Sequence, residues 1–193
     1  MDGLHQIIPA ILPKDEKDLE EKLEALPSEI TFFHMDVLDP PVGGDIWTEK
    51  NFRDFEVHLM VEEPEKLLTK WIERGAKRLS IHKISPELAK YREQAEIGFA
   101  VELDKPLEEV MPFFDFVDFI HLMSIDKIGE QGHPLNEKIF DRIKLLREKY
   151  PRMPISIDGG VSIHNYRKLL ELGADRLIVG AHFEDLWNSL KKS

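Results

Sequence analysis

Four side chains able to bind a metal ion, His34, Asp36, His58 and Asp158, fall near the ends of short β-rich runs, ITFFHMDVLD, FEVHLM and ISIDGG. Side chains two apart on a strand share a face, so His34 and Asp36 can point together toward whatever His58 and Asp158 approach. Mixed imidazole and carboxylate ligands suit one divalent metal, Zn²⁺, Fe²⁺, Mn²⁺ or Co²⁺. Taken singly, a histidine or aspartate near a strand end is more often a hydrogen-bonded or solvated residue than a ligand. Four of them at matching places in separate strands shift the balance toward a metal-assisted enzyme. His82, which ends RLSIH, would lie beside them either as a contact or as a structural histidine. His5, His121, His133, His164 and His182 receive no role.

The elements that must position these groups form a βα repeat. IIPAIL precedes EKDLEEKLEAL, FEVHLMV precedes PEKLLTKWIERG, and RLSIH precedes PELAKYREQ; IGFAVEL, FVDFIHLM, ISIDG and RLIVGA are likewise each followed by a stretch of helical period. With ITFFHMDV this predicts eight strands, and eight strands alternating with helices favour an α/β fold of the (β/α)8 TIM barrel type over an open doubly wound sheet. PPVGGDIWTEKNFRD, between the second and third strands, is rich in Pro and Gly and too short for a helix with two loops, so a loop or a single turn is expected there. The chain is shorter than the ~250 residues typical of such barrels, and a seven-stranded or partly open barrel also fits its length. No linker divides residues 1–193, which read as one barrel domain. In this fold active sites form at the C-terminal ends of the strands, which is where all four candidate ligands lie.

Composition narrows the partners. There are 26 Lys plus Arg against 37 Asp plus Glu, a net charge of −11, and no basic run that could follow a phosphate backbone, so nucleic acid is excluded as a partner. With no cysteine there is neither a disulfide framework nor a thiolate nucleophile. The N-terminal stretch has no basic segment followed by an apolar core, and no apolar run reaches membrane-spanning length; a cytoplasmic protein with no membrane partner is expected. An anionic ligand would then have to be held by backbone N–H groups or a metal. Gly-rich loops after the sixth, seventh and eighth strands offer such groups: Gly129, Gln131 and Gly132, then Gly159 and Gly160, then Gly180 and Ala181. Glycine pairs more often mark turns than anion sites.

PAIL, HMDVLD, VHLMVEEPEK, the strand ending in HLMS, IDGGVS and GADRLIVGAHF stand in an order and spacing that resembles the ribulose-phosphate 3-epimerase family over nearly the whole chain. The resemblance implies that His34, Asp36, His58 and Asp158 bind a divalent metal and that Asp36 and Asp158 are also the acid/base pair. It implies that Met60 and Met123 line an apolar wall over the metal, although both could equally be core, and that the three glycine loops hold phosphate. The implied reaction interconverts D-ribulose 5-phosphate and D-xylulose 5-phosphate by two-base proton transfer at C3 through a metal-stabilised enediolate. A related epimerase for another ketose phosphate and a non-catalytic relative that binds metal or sugar phosphate are the alternatives, and a homo-oligomer is a weak expectation. Trp71 and Trp187 could serve a core or an interface.

Departures from the family's pattern fall in substrate contacts. Ala10 and Ala181 replace serines, Pro40, Pro41 and VGGDIW replace the usual segment after HMDVLD, DKIGEQG alters the spacing of the strand-six loop, and Lys83 follows His82 where an acid is common. Retained chemistry with an altered substrate fit is the expectation.

Overall fold

The computed structural model describes residues 4–38, 46–48, 51 and 53–192. Eight strands, β1 (Ile7–Ile11), β2 (Phe32–Leu38), β3 (Asp54–Met60), β4 (Arg78–Ile81), β5 (Glu96–Val101), β6 (Phe119–Met123), β7 (Ile155–Asp158) and β8 (Arg176–Val179), pair in parallel and in chain order, and β8 returns to β1 to close the barrel. The predicted (β/α)8 barrel is thus complete, with neither a missing strand nor an open edge.

Period-two alternation decides what faces where. In every strand one set of residues is apolar and buried: Phe33 and Met35, Val57 and Leu59, Leu79 and Ile81, Ile97 and Phe99, Ile120 and Leu122, Ile155 and Ile157, Leu177 and Val179. This set packs in one core with residues of the helices, including Leu19 and Leu23 of α1 (Glu16–Ala25), Leu68 and Trp71 of α2 (Glu65–Glu73), Ile143 and Leu146 of α4 (Lys138–Lys149), and Leu186 and Leu190 of α6 (Phe183–Lys191). The alternate set points into the barrel and is largely polar: His34, Glu56, His58, Ser80, His121 and Ser156 are all buried there. Parallel strands buried on both faces usually read as continuous apolar runs; here the inner face has been given to charge and hydrogen bonding. At the lower end Arg78 Nε lies 2.6 Å from Glu56 Oε2 as an ion pair, Arg176 Nη2 donates to Glu96 Oε2 at 3.0 Å, and the two guanidinium groups lie over the rings of Phe32 and Phe119. Gly98 makes this floor possible, because a Cβ on it would stand 2.3 Å from the Phe119 ring.

Two of the expected helices are reduced. The stretch after β4 forms a 3₁₀ turn, Pro86–Tyr91, and the one after β5 makes a single α turn, α3 (Leu107–Val110), before passing into a 3₁₀ turn at Met111–Phe116. Pro112 lacks the N–H that would continue the α ladder, which accounts for the second change. The helix after β7, α5 (Tyr166–Glu171), is also short. Pro40, Pro41 and most of the irregular segment between β2 and β3 lie outside the described residues. Within that segment Ile46–Thr48 is neither helix nor strand, and Trp47 packs on Phe55 and Trp71 at ring separations of 5.0 and 5.8 Å, covering β3 where a helix would otherwise lie. Trp71 and Trp187 are both buried in the chain's own core, so neither is free to serve an interface. Among the described residues no helix is long and apolar enough to cross a membrane.

Candidate metal centre and cleft

His34 and Asp36 project from β2, His58 from β3 and Asp158 from the end of β7, and one donor atom from each lies within 4.8 Å of the others. His34 Nε2 stands 3.1 Å from Asp36 Oδ1 and 4.0 Å from Asp158 Oδ2; His58 Nδ1 stands 3.4 Å from the first oxygen and 3.5 Å from the second. Two ligands each about 2.1 Å from one ion are at most about 4 Å apart, so a cation would draw this set together by a few tenths of an ångström.

The neighbours fix which nitrogen of each ring is available. His34 Nδ1 is 2.8 Å from Glu56 Oε1 and donates to it, which leaves the Nε2 lone pair facing the centre. His58 Nδ1 is buried without a hydrogen-bond partner, while its Nε2 lies 2.9 Å from His82 Nε2. With Nδ1 as the free acceptor, His58 Nε2–H donates to His82. Imidazole ligands held from behind by a carboxylate or another acceptor are the usual support of a metal site. The orphaned His58 Nδ1 between two carboxylates is what a divalent cation would satisfy, and the residues present fit one.

Charge follows the same lines. Burial opposes charging of His34, but its bonds to Asp36 and Glu56 outweigh that and hold the imidazole well above its usual range. His58 is raised as well, by the Asp158 and Asp36 carboxylates beside its Nδ1, against the cost of burial. For Asp158 burial favours the neutral acid, yet His121 and His58 hold the carboxyl well below its ordinary value; Asp36 is also lowered, by His34 and His58, against burial and the nearby Asp158 charge. Glu56 falls to about 2 despite burial, held by His34 and Arg78. His82 is pushed down to about 3 by burial and by His58, so it stays neutral as an acceptor should.

Above the centre lies a cleft that opens to solvent at the C-terminal mouth of the barrel. Asp36 and Asp158 form its floor, and Met60, Met123, Gly129, Gln131, Gly132, Gly159, Gly160, Gly180 and Ala181 all line it. The three glycine loops thus border one cleft, despite the altered spacing of the strand-six loop. Gln131 reaches across to Gly180, where a Cβ would come within 3.0 Å of its side chain. Gly160, at φ +65°, sits against the backbone of Leu135, where a Cβ would be 2.2 Å from the amide nitrogen. Among the described residues no lysine or arginine lines the cleft; Lys83 is turned away, with Nζ on the Glu62 carbonyl. Sequence reasoning passed over His133 and His182, which line the cleft, and over Glu56, Ser80, Arg78 and His121, which surround the centre from below. For Glu56, Arg78, Ser80 and His121 the signal was the polar residue recurring at every second position inside apolar strands.

Fold and centre define a (β/α)8-barrel protein with an acidic, histidine-rich site at the C-terminal mouth of the barrel. The profile described as the ribulose-phosphate 3 epimerase family matches residues 6–183. The chain is 25% identical to a ribulose-phosphate 3-epimerase of Schizosaccharomyces pombe, covering 91% of this chain and 85% of that one, and 28% identical to one of Aquifex aeolicus, covering 91% and 87%. Its fold also superposes on a mutant tryptophan synthase alpha-subunit from Pyrococcus furiosus with a TM-score of 0.66 at 15% identity, covering 96% of each chain, a likeness of fold alone. The chain belongs to the ribulose-phosphate 3-epimerase family and is an isomerase.

Proposed function

We propose that this single-domain protein interconverts D-ribulose 5-phosphate and D-xylulose 5-phosphate, with Asp36 and Asp158 exchanging the C3 proton and His34, Asp36, His58 and Asp158 holding one divalent metal. The observation that carries the reading is the pair of carboxylates on the floor of a cleft whose rim is made of three glycine loops. When bound, the metal supplies Lewis-acid stabilisation of negative charge developing on substrate oxygen, an effect of several kcal/mol. The chain's own residues do the rest. Epimerisation needs the C3 proton removed from one face and a proton returned to the other, so one carboxylate acts as base while the other, protonated, acts as acid; in the reverse reaction the roles exchange. Their positions on β2 and β7 let them approach a substrate from separate sides. Met60 and Met123 give the reacting carbon an apolar surround that excludes water and preserves the enediolate from side reactions. The phosphate is held by backbone N–H groups of the loops bearing Gly132, Gly160 and Ala181, since among the described residues no lysine or arginine lines the cleft. The absence of cysteine supports a cytoplasmic setting for this chemistry.

A second reading, a ketose phosphate of different length or stereochemistry, is favoured by Ala10 and Ala181, which line the cleft without a hydroxyl. The test is a coupled assay of metal-quantified protein on D-ribulose 5-phosphate and a panel of other ketose phosphates, with chelator and with metal added back. Chelator-sensitive turnover of D-ribulose 5-phosphate supports the first reading. Turnover confined to another sugar supports the second, and metal-loaded protein inert on all of them sinks both.

A further inference from the structure

Of the four imidazoles that meet inside the barrel, His34, His58, His82 and His121, the last two stand outside the proposed ligand set, and His121 is the one bonded to a carboxylate of that set. It is fully buried on β6, its ring stacked on His34 at 5.5 Å and tilted against His58 at 4.6 Å. Its Nε2 lies 3.0 Å from Asp158 Oδ2, and its Nδ1 lies 3.2 Å from Ser80 Oγ. His121 Nε2, within hydrogen-bond reach of the Asp158 carboxylate and outside the ligand set, carries the proton and donates. The other nitrogen is then the acceptor, and the Ser80 hydroxyl is the donor that satisfies it. Ser80, His121 and Asp158 thus form a line of two hydrogen bonds running from β4 through β6 to β7, with the tautomer set at its buried end.

Asp158 needs such a restraint. It is the last residue of β7, is followed by Gly159 and Gly160, both at positive φ, and opens on the cleft. Ser124 bonds its backbone carbonyl, but among the described residues the contacts to its carboxylate, from His34, His58 and His121, all fall on Oδ2, and that of His121 is the shortest of these. We propose that His121, oriented by Ser80, is a positioning residue that holds Asp158 Oδ2 in place for the metal and leaves Oδ1 for the substrate. The inference rests on the metal-dependent epimerase reading but concerns residues outside its ligand set. Partners of this kind, one bond removed from the ion, typically contribute ten- to hundred-fold in metal affinity.

The experiment compares His121→Leu, His121→Gln and Ser80→Ala with the parent protein. Gln keeps a donor at the reach of Nε2, whereas Leu fills the space without one. Zn²⁺ affinity is measured by competition with a chromophoric chelator, the Co²⁺ form by its visible absorption spectrum, and kcat and KM on D-ribulose 5-phosphate. The expected result is a ten- to hundred-fold loss of Zn²⁺ affinity in the Leu variant, a kcat that falls more than KM changes, and recovery to within about three-fold in the Gln variant. Ser80→Ala should move affinity in the same direction by less, and it serves as the readout if the Leu variant does not fold. Affinity within two-fold of the parent in both the Leu and Ser80→Ala variants overturns the proposal. So does a Gln variant as impaired as Leu with an altered Co²⁺ spectrum, which would make His121 a direct ligand. Affinity and spectrum are read without substrate, so a parent protein that binds Zn²⁺ but turns over nothing would remove the epimerase reading while the role of His121 was still decided.

Discussion

Asp36 and Asp158 are each mostly buried, with side-chain exposures of 12% and 13%, and each commits one oxygen to the histidines while bordering the cleft. Asparagine at either position keeps the shape and can still bond to an imidazole, but it can neither take nor return a proton. Asp36→Asn and Asp158→Asn should each lower kcat by at least ~10²-fold, read in the coupled assay at saturating metal. Near-normal turnover in either would remove that residue from the proton path. These two and their histidine partners were legible from sequence because residue type and strand-end position point the same way. Glu56, Ser80 and His121 were not, because they stand in mid-strand, where a polar residue in a parallel sheet has no obvious destination. Only the closed barrel reveals that the destination is its interior.

At the level of elements, the eight strands could be read from apolar runs, since each is short, β-branched and bounded by turn residues. Helices after β4 and β5 could not be read correctly: helical periodicity there extends over few residues, and Pro112 turns the chain into 3₁₀ geometry. What the loops hold is equally hard to see in advance, because Gly160 looks like any turn glycine until Leu135 is placed against it. Gly160→Ala adds a methyl group at 2.2 Å from a backbone nitrogen at a left-handed φ of +65°. Neighbouring backbone rather than a flexible side chain must move, so a loss of about 1–3 kcal/mol in chemical denaturation is expected. KM for the sugar phosphate should rise as well, because the displaced loop is part of the cleft rim. Unchanged stability and KM would show that the loop accommodates the methyl freely.

At the scale of the whole molecule, the barrel is held together through its middle by charge as well as by its apolar jacket. Glu56 joins the centre to the floor, bonded to His34 above and paired with Arg78 below. Its folded pKa is depressed from 4.5 to about 2, so its contribution is fully present above pH 4.5 and is lost as pH falls from there toward 2. The shift corresponds to about 3 kcal/mol. Glu56→Gln should therefore be less stable than the parent at neutral pH, and its stability should fall less steeply between pH 4.5 and 2 in urea titrations. Parallel pH profiles for the two proteins would show that Glu56 is not the group responsible.

The interior column also has a sum. Asp36, Glu56 and Asp158 contribute −3, Arg78 contributes +1, and Arg176 cancels Glu96, leaving −3 + 1 = −2. In a buried space that debt cannot be left to solvent. In the metal-free protein protons on His34 and His58, the imidazoles whose affinity for them is raised, would offset this charge. Loading the protein with Zn²⁺ near neutral pH should accordingly expel up to about two protons per chain, measured by calorimetry in two buffers of different ionisation enthalpy. Expulsion of none would show that His34 and His58 do not carry these protons in the metal-free protein. By this count a divalent ion would bring the column to neutrality, where a monovalent ion would leave it negative and a trivalent one positive.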